Sequence, residues 1–391
     1  MTSAIAQIRM PRLGDEGGKL LPQLEAALRP KRVRDVFHLG FSVYMSSGRD
    51  KCLEVIAKAK KAGLKHAFTS LHIPEEGSAD FVRTAREVLD ACHEADIAVM
   101  ADIGPRTVQK MGLTQIEDLR GSPITHLRLD YGFAFEEVVP LSHQFLVVLN
   151  SSTSSLASFH RLKLLGADFS RFATCHNFYP KPRTGLSLER VKVINERLSY
   201  LGLTNMAFIP GDKELRGPLH QGLPTVEEHR NAPVLIAALQ MLTQTMTDIV
   251  YVGDVDVTDG TWQKLQDLSS GFVRLRCRLM KSYEDLANSA HHDRLDSSEY
   301  VIRSVESRGY ATPGRIIEPA LPQKICRGDI LLSNKLYLRY SGEIEIARCD
   351  IGWEERVNVI GYIDERDVAY LQYIRDGMGI ILEATAEVAP I

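Results

Sequence analysis

Seven side chains that can ionise or hydrogen-bond close seven short apolar runs: Tyr44, His72, Asp102, Asp130, Asn150, His176 and Asp254. Aspartate can serve as general acid, base or nucleophile, histidine as base or metal ligand, and tyrosine and asparagine can orient a substrate. Strand side chains alternate faces, so each shares a face with the residue two before it: Ser42, Ser70, Met100, Arg128, Val148, Thr174 and Val252. If all seven point inward, they share one mouth. Any one alone would also suit a solvated strand end.

Asp102 and Asp130 end consecutive strands, which lie about 4.8 Å apart, so their carboxyls are the expected catalytic pair. A separation of roughly 5 to 5.5 Å belongs to a retaining glycosidase, and mutual repulsion would leave one of the two protonated as general acid. Glu75, Glu76, Asp212 and Asp254 are competing carboxylates. A metal held by His72, His176, Asp102 and Asp130 is an alternative on ligand type, but no HxH or HExxH pairs the histidines, and no metal is expected. Cys175 next to His176 faces the opposite way on its strand and reads as a buried thiol. Lys181 and Lys213 lie in loops and not at strand tips, which disfavours Schiff-base chemistry. Neither GxxxxGK[ST] nor GxGxxG occurs, and no cofactor is expected.

Two loops carry anion-binding chemistry. Asn177, Tyr179, Lys181 and Arg183 lie on a stretch stiffened by Pro180 and Pro182, and Arg216 follows among glycines. With Arg128 and His176 they offer aromatic faces, amide donors and cations suited to a sugar bearing a phosphate or carboxylate.

The elements that position these residues read as an α/β barrel. Six runs, VMADIG, LRLDYG, VVLNSS, FATCHN, AFIPGD and IVYVGD, end in polar clusters, and LGFSVYM (39–45) and AFTSLHIP (67–74) make eight. Helical spacing separates many of them, as in Lys51 to Gly63 and Val226 to Thr245. Strand and helix alternating eight times predicts a closed parallel (β/α)8 barrel of TIM type with its chemistry at the C-terminal mouth. After Gly271 the pattern changes to β-branched runs broken by turns, with one late helix at 366–377. The expected division is an extension at 1–35, the barrel at 36–271, a smaller all-β domain at 272–385 and a tail at 386–391. Residues 291–308, dense in His291, His292, Arg294, Asp296, Arg303 and Arg308, either close over the mouth or form a solvated face or subunit contact.

Composition limits the partners. The 391 residues exceed one barrel of about 250, and a net charge of −3 supplies no field for nucleic acid or an anionic membrane. The six cysteines are scattered, without CxxC, as expected of reduced thiols in the cytoplasm. No apolar run is long enough to span a membrane, and charges precede the first sustained apolar run, against a secretory signal. The composition leaves homo-oligomerisation open.

The segments SVY (42–44), FTSLHIPEE (68–76), DIGP (102–105), LRLDYG (127–132), LNSST (149–153), CHNFYPKPRTGLS (175–187), MAFIPGD with RGPLHQGLPTVEEHR (206–230), HHDRLDSSEYVIRSVESR (291–308) and RVNVIG (356–361) resemble the 6-phospho-N-acetylmuramidase family of bacterial glycosidases. The resemblance implies a barrel followed by a cyclophilin-like β domain. It also implies hydrolysis of the β-1,4 bond between N-acetylmuramic acid 6-phosphate and N-acetylglucosamine during cytoplasmic recycling of peptidoglycan. Lys181 departs from the arginine of the family's YPRP-like segment and lacks its bidentate fork. Two other readings stand beside it: a non-catalytic sugar-phosphate binding or regulatory protein, and a metal-dependent hydrolase or isomerase on the same fold.

Overall fold

The computed structural model describes residues 37–71, 79–105, 107–129, 132–310 and 316–385. The expected extension at 1–35 and the tail at 386–391 lie outside the described residues. Eight parallel strands, β1 (His38–Ser42), β2 (His66–Ser70), β3 (Ala98–Ile103), β4 (Ile124–Leu129), β5 (Leu146–Asn150), β6 (Phe172–Cys175), β7 (Thr204–Ile209) and β8 (Ile249–Val252), form a closed barrel in which β8 pairs with β1. These are the eight apolar runs of the sequence. Alternation along them separates two cores. Phe68, Met100, Val148, Cys175, Met206, Phe208 and Tyr251 cluster inside the barrel, whereas Phe41, Ala67, Val99, Leu127, Val147 and Val250 join the layer beneath the helices. The interior is a packed core, and a Cβ on Gly40 would lie 2.4 Å from the Tyr251 ring.

Helices α1 (Arg49–Lys61), α2 (Ala79–Glu94), α3 (Thr107–Lys110), α4 (Phe135–Ser142), α5 (Leu156–Leu164), α6 (Leu188–Tyr200), α7 (Val234–Gln244) and α8 (Asp259–Ser269) alternate with the strands. In α1 the buried residues Cys52, Val55, Ile56 and Ala59 recur at helical spacing, and Lys58, Lys60 and Lys61 occupy the last turn, where cations oppose the dipole. The run at 226–245 is not one helix. A 3-10 turn at Glu227–His229 comes first, and α7 begins only after Pro233, whose missing N–H and fixed φ suit the start of a helix better than its interior.

After α8 the chain becomes mostly β. The strands β9 (Phe272–Leu279), β10 (Ala290–His292), β11 (Val301–Arg303), β12 (Lys324–Ile325), β13 (Asp329–Ser333), β14 (Ile344–Ala347), β15 (Gly352–Trp353), β16 (Val357–Ile363) and β17 (Gly379–Ala384) follow. Seven of them form a sheet in the order β10-β17-β9-β16-β13-β14-β11, and β12 pairs with β15. The late helix at 366–377 is replaced by a 3-10 turn at Val368–Tyr370. Arg327 and Arg348 take the carbonyls of Val368 and Leu371, which a continuing α-helix would need.

Residues 291–308 do not reach the mouth through β10. α8 starts at the mouth and ends where Ser269 Oγ donates to Ala62 O beyond the last turn of α1, so β9 starts at the opposite end of the barrel. His292 pairs in register with Gly379, Gly379 pairs with Phe272, and the His292 and Phe272 rings lie 5.0 Å apart. The polar groups of this segment are taken up within the β domain. His291 contacts Ser289 and Ser304, His292 contacts Glu306, Arg294 and Arg303 bond to Asp296, and Arg308 pairs with Glu343. The β domain instead rests on α8 through Arg274 to Asp267 at 2.8 Å and Lys264 to Tyr370 at 3.3 Å.

Candidate active site

Asp102 stands two residues beyond the interior Met100 and in register with Arg128 of β4. Both side chains are nearly out of solvent, and Arg128 Nη1 donates to Asp102 Oδ1 at 2.7 Å. Arg128 Nη2 donates to Asn177 Oδ1. Two charges taken out of water are costly unless geometry and further hydrogen bonds compensate, and the amide of Asn177 supplies one such bond. Beneath them Cys175 faces inward. Burial pushes its thiol up to about 12; the Arg128 charge opposes that shift and the Asp102 charge adds to it, so the thiol stays protonated. Asp130, His72, Glu75 and Glu76 lie outside the described residues.

Tyr44, just past β1, is buried above the interior. Its hydroxyl donates to Gly253 O at 2.6 Å and its ring meets Phe68 edge-on. Arg216 Cζ lies 3.7 Å from the centroid of that ring and 5.8 Å from that of Phe178. Burial pushes the Tyr44 phenol up to about 12 although the Arg216 cation pulls the other way. Arg216 has no salt bridge to a carboxylate among the described residues. It is thus a preoriented cation at the mouth.

Asn150 faces inward beyond Val148, and its Oδ1 accepts the amide of Ser152 at 2.9 Å. Tyr179 is half-buried, and Lys181 and Arg183 are exposed on the loop after β6. Arg183 adopts φ 69°, a conformation rarely taken by residues other than glycine and held here by the hydrogen bond that its backbone N–H donates to Glu227 Oε1 at 2.8 Å.

Two of the inward assignments are overturned. Pairing sets Val148 beside Ala173 and Asn150 beside Cys175, so Ala173 and Cys175 share the inner face and Thr174 and His176 point out. Thr174 bonds to Asn205, and His176 Nε2 lies 2.8 Å from Asn195 Oδ1 of α6. Burial pushes the His176 imidazole down to about 4; the Asn195 bond opposes this and the Arg128 charge reinforces it, leaving a neutral ring behind the wall. Asp254 lies past β8, and it is Tyr251, not Val252, that packs in the interior cluster. The Asp254 carboxylate accepts the amides of Gly211 at 2.8 Å, Arg216 at 2.9 Å and Leu223 at 3.0 Å, so it shapes the loop after β7. Burial raises its pKa against those three bonds. Asp212 is likewise engaged, accepting Thr258 N at 2.7 Å and Thr261 Oγ1 at 2.6 Å at the start of α8.

The sequence reading took Phe178 only as one of two aromatics in its loop and did not single out Glu227 and Arg230. Phe178 packs edge-on to Phe68 and Phe208, and the only hint of it was an aromatic directly after the mouth asparagine. Glu227 and Arg230 form an ion pair whose signal was their three-residue spacing. Among the described residues no group of three or more His, Cys, Asp or Glu could hold a metal ion, and no helix is long and apolar enough to cross a membrane.

Comparison with known proteins follows the same architecture. Among solved structures, a conserved Enterococcus faecalis protein of unknown function superposes with a TM-score of 0.72 at 29% identity, over 89% of this chain and 97% of that one. An uncharacterised Bacillus cereus protein superposes with a TM-score of 0.69 at 23% identity, over 89% and 99%, and shares the fold. No curated protein matches the chain. The N-terminal domain pattern of 6-phospho-N-acetylmuramidase matches residues 39–267, and the C-terminal one matches residues 273–383. With the barrel, the β domain and both patterns accounted for, the chain belongs to the 6-phospho-N-acetylmuramidase family of glycosidases.

Proposed function

We propose that the protein hydrolyses the β-1,4 bond between N-acetylmuramic acid 6-phosphate and N-acetylglucosamine, as a cytoplasmic enzyme of peptidoglycan recycling. The observation that carries this reading is the Asp102–Arg128 pair, a carboxylate and a guanidinium buried together at the mouth of a barrel from this family. A guanidinium stabilises the charged form of its partner, so Asp102 suits the nucleophile and Asp130, which follows Leu129 of β4 in the sequence, the general acid. In this scheme Asp102 attacks the anomeric carbon as the acid protonates the leaving oxygen. Water then releases the sugar with the same residue acting as base.

Arg216 is the best placed cation for the substrate's phosphate or lactyl carboxylate, with Lys181 and Arg183 at the rim. Asn150, Asn177 and Tyr179 suit the hydroxyl and acetamido groups. The test is hydrolysis of the disaccharide followed by NMR. Release of N-acetylglucosamine with the β-anomer of the phosphorylated sugar formed first supports the reading, and an inverted product excludes Asp102 as nucleophile. Binding without turnover would assign the chain to sugar-phosphate sensing.

A further inference from the structure

Two mouth loops are stapled together by one ion pair. Arg230 is nearly buried, and its Nε and Nη2 meet Glu227 Oε1 and Oε2 at 2.7 and 2.8 Å. The remaining donors are spent on backbone. Nη1 reaches Gln221 O and Gly222 O at 3.0 and 3.1 Å, and Nη2 reaches Tyr179 O at 2.9 Å and Lys181 O at 3.4 Å. Glu227 answers from the other side, accepting the amides of Arg183 and Gly185, each at 2.8 Å. A Cβ on Gly185 would lie 2.7 Å from the Glu227 carboxylate, so only glycine lets the loop close on it. The Arg230 bonds hold the Glu227 carboxyl down at about 2, against a smaller opposing effect of burial, and it stays charged at any working pH.

This staple shapes the loop that carries Asn177, Tyr179, Lys181 and Arg183. Asn177 in turn receives Arg128, which holds Asp102. The same loop is tied to the β7 loop by Tyr179 N to Pro224 O at 2.9 Å and Thr225 Oγ1 to Asn177 O at 2.9 Å. A surface arginine would not spend every donor on two loops next to a mouth.

We propose that the Glu227–Arg230 ion pair is a positioning device for the loop after β6, so that Arg230 governs the affinity for the anionic end of the sugar without touching it. The inference rests on the glycosidase reading above. Its test compares the 6-phosphorylated disaccharide with its unphosphorylated counterpart on wild type, Arg230→Ala, Arg230→Lys and Glu227→Gln. Wild-type turnover of the phosphorylated sugar is the control, and its absence would sink the glycosidase reading instead. Given that turnover, Arg230→Ala should raise KM for the phosphorylated sugar about tenfold or more, with a smaller change in kcat and little change for the unphosphorylated one. Arg230→Lys should not rescue, because an ammonium cannot fork, whereas millimolar guanidinium should partly restore KM in Arg230→Ala. Equal loss on both substrates, or lower kcat at unchanged KM, would reduce the pair to a fold element and overturn the proposal. If Arg230→Ala does not fold, Glu227→Gln, which keeps the shape and loses the charge, decides by the same KM ratio.

Discussion

Two buried carboxylates surrounded by cations sit on opposite sides of the barrel wall. Asp102 faces inward at the mouth and pairs with Arg128. Asp256, past β8, faces outward with its side chain sealed from solvent, and meets Lys51 at 2.8 Å, Lys58 at 3.1 Å and Lys213 at 3.4 Å. Trp262 Nε1 and Val257 N add two more bonds to Asp256 Oδ1. Burial alone would raise the Asp256 carboxyl, but the hydrogen bonds from Lys51, Trp262 and Lys58 outweigh it and hold its pKa well below the usual range. Burial and ion pairing therefore do not by themselves separate the proposed nucleophile from a structural carboxylate. Lys51 and Lys58 come from α1 and Trp262 from α8, so Asp256 joins two helices, whereas the Asp102–Arg128 pair joins neighbouring strand tips to Asn177 of the loop after β6.

Substitution should split the two roles. Asp102→Asn is expected to lower turnover per folded molecule by about a hundredfold or more, and also to lower the thermal midpoint, because the buried Arg128 guanidinium loses its countercharge although the amide still accepts from it. Asp256→Asn should lower stability without that loss of turnover. Losing the charge beside three ammonium groups should cost about 2 to 4 kcal/mol in chemical denaturation, the lower end because the lysines can swing to water. Turnover per folded molecule should hold. If Asp102→Asn unfolds the chain and Asp256→Asn abolishes turnover, the assignment is inverted.

A smaller difference should appear between the two mouth arginines. Arg216 is stacked on Tyr44 with its amide fixed by Asp254, so it loses little freedom on binding an anion; Arg183 is exposed and must be ordered. Arg216→Ala should cost about 1.5 to 3 kcal/mol of affinity for a 6-phosphosugar measured by calorimetry, and Arg183→Ala less. The reverse order would move the phosphate outward to the rim.

The barrel was legible because its eight strands are apolar runs with polar tips, a pattern that survives without any long-range information. Asp102, Tyr44 and Asn150 were legible by parity. His176 was not, since its facing is set by the pairing of β6 with β5, which places Asn150 beside Cys175. Asp254 was not either, because Tyr251 and not Val252 takes the inner face of β8, so the count by two began on the wrong face. Glu227 and Arg230 fell in the run expected to be a helix, and nothing local showed that several of their partners would be carbonyls and amides about 40 to 50 residues earlier. The late helix failed for the same reason, as two distant arginines claim its carbonyls.

The smallest expected effect contrasts charged with neutral burial. His66, at the floor of the barrel, is pushed down to about 4 by burial first and by His38 and His126 next, and His176 is held at about 4 behind the wall. Neither has a carboxylate partner among the described residues, so the folded state keeps both neutral, while the unfolded chain takes up protons near 6.5. Their contribution to stability is therefore fully present above pH 6.5, declines as the pH falls towards 4, and levels off below. Asp256 behaves differently: with its pKa depressed, its contribution persists through this window and is lost only in stronger acid, below the ordinary carboxylate value of 3.8. Denaturation midpoints measured between pH 7.5 and 4.5 should thus fall in wild type, and fall less in His66→Gln, which cannot take up that proton. A parallel fall in both proteins would clear His66 and leave other groups to explain the acid sensitivity.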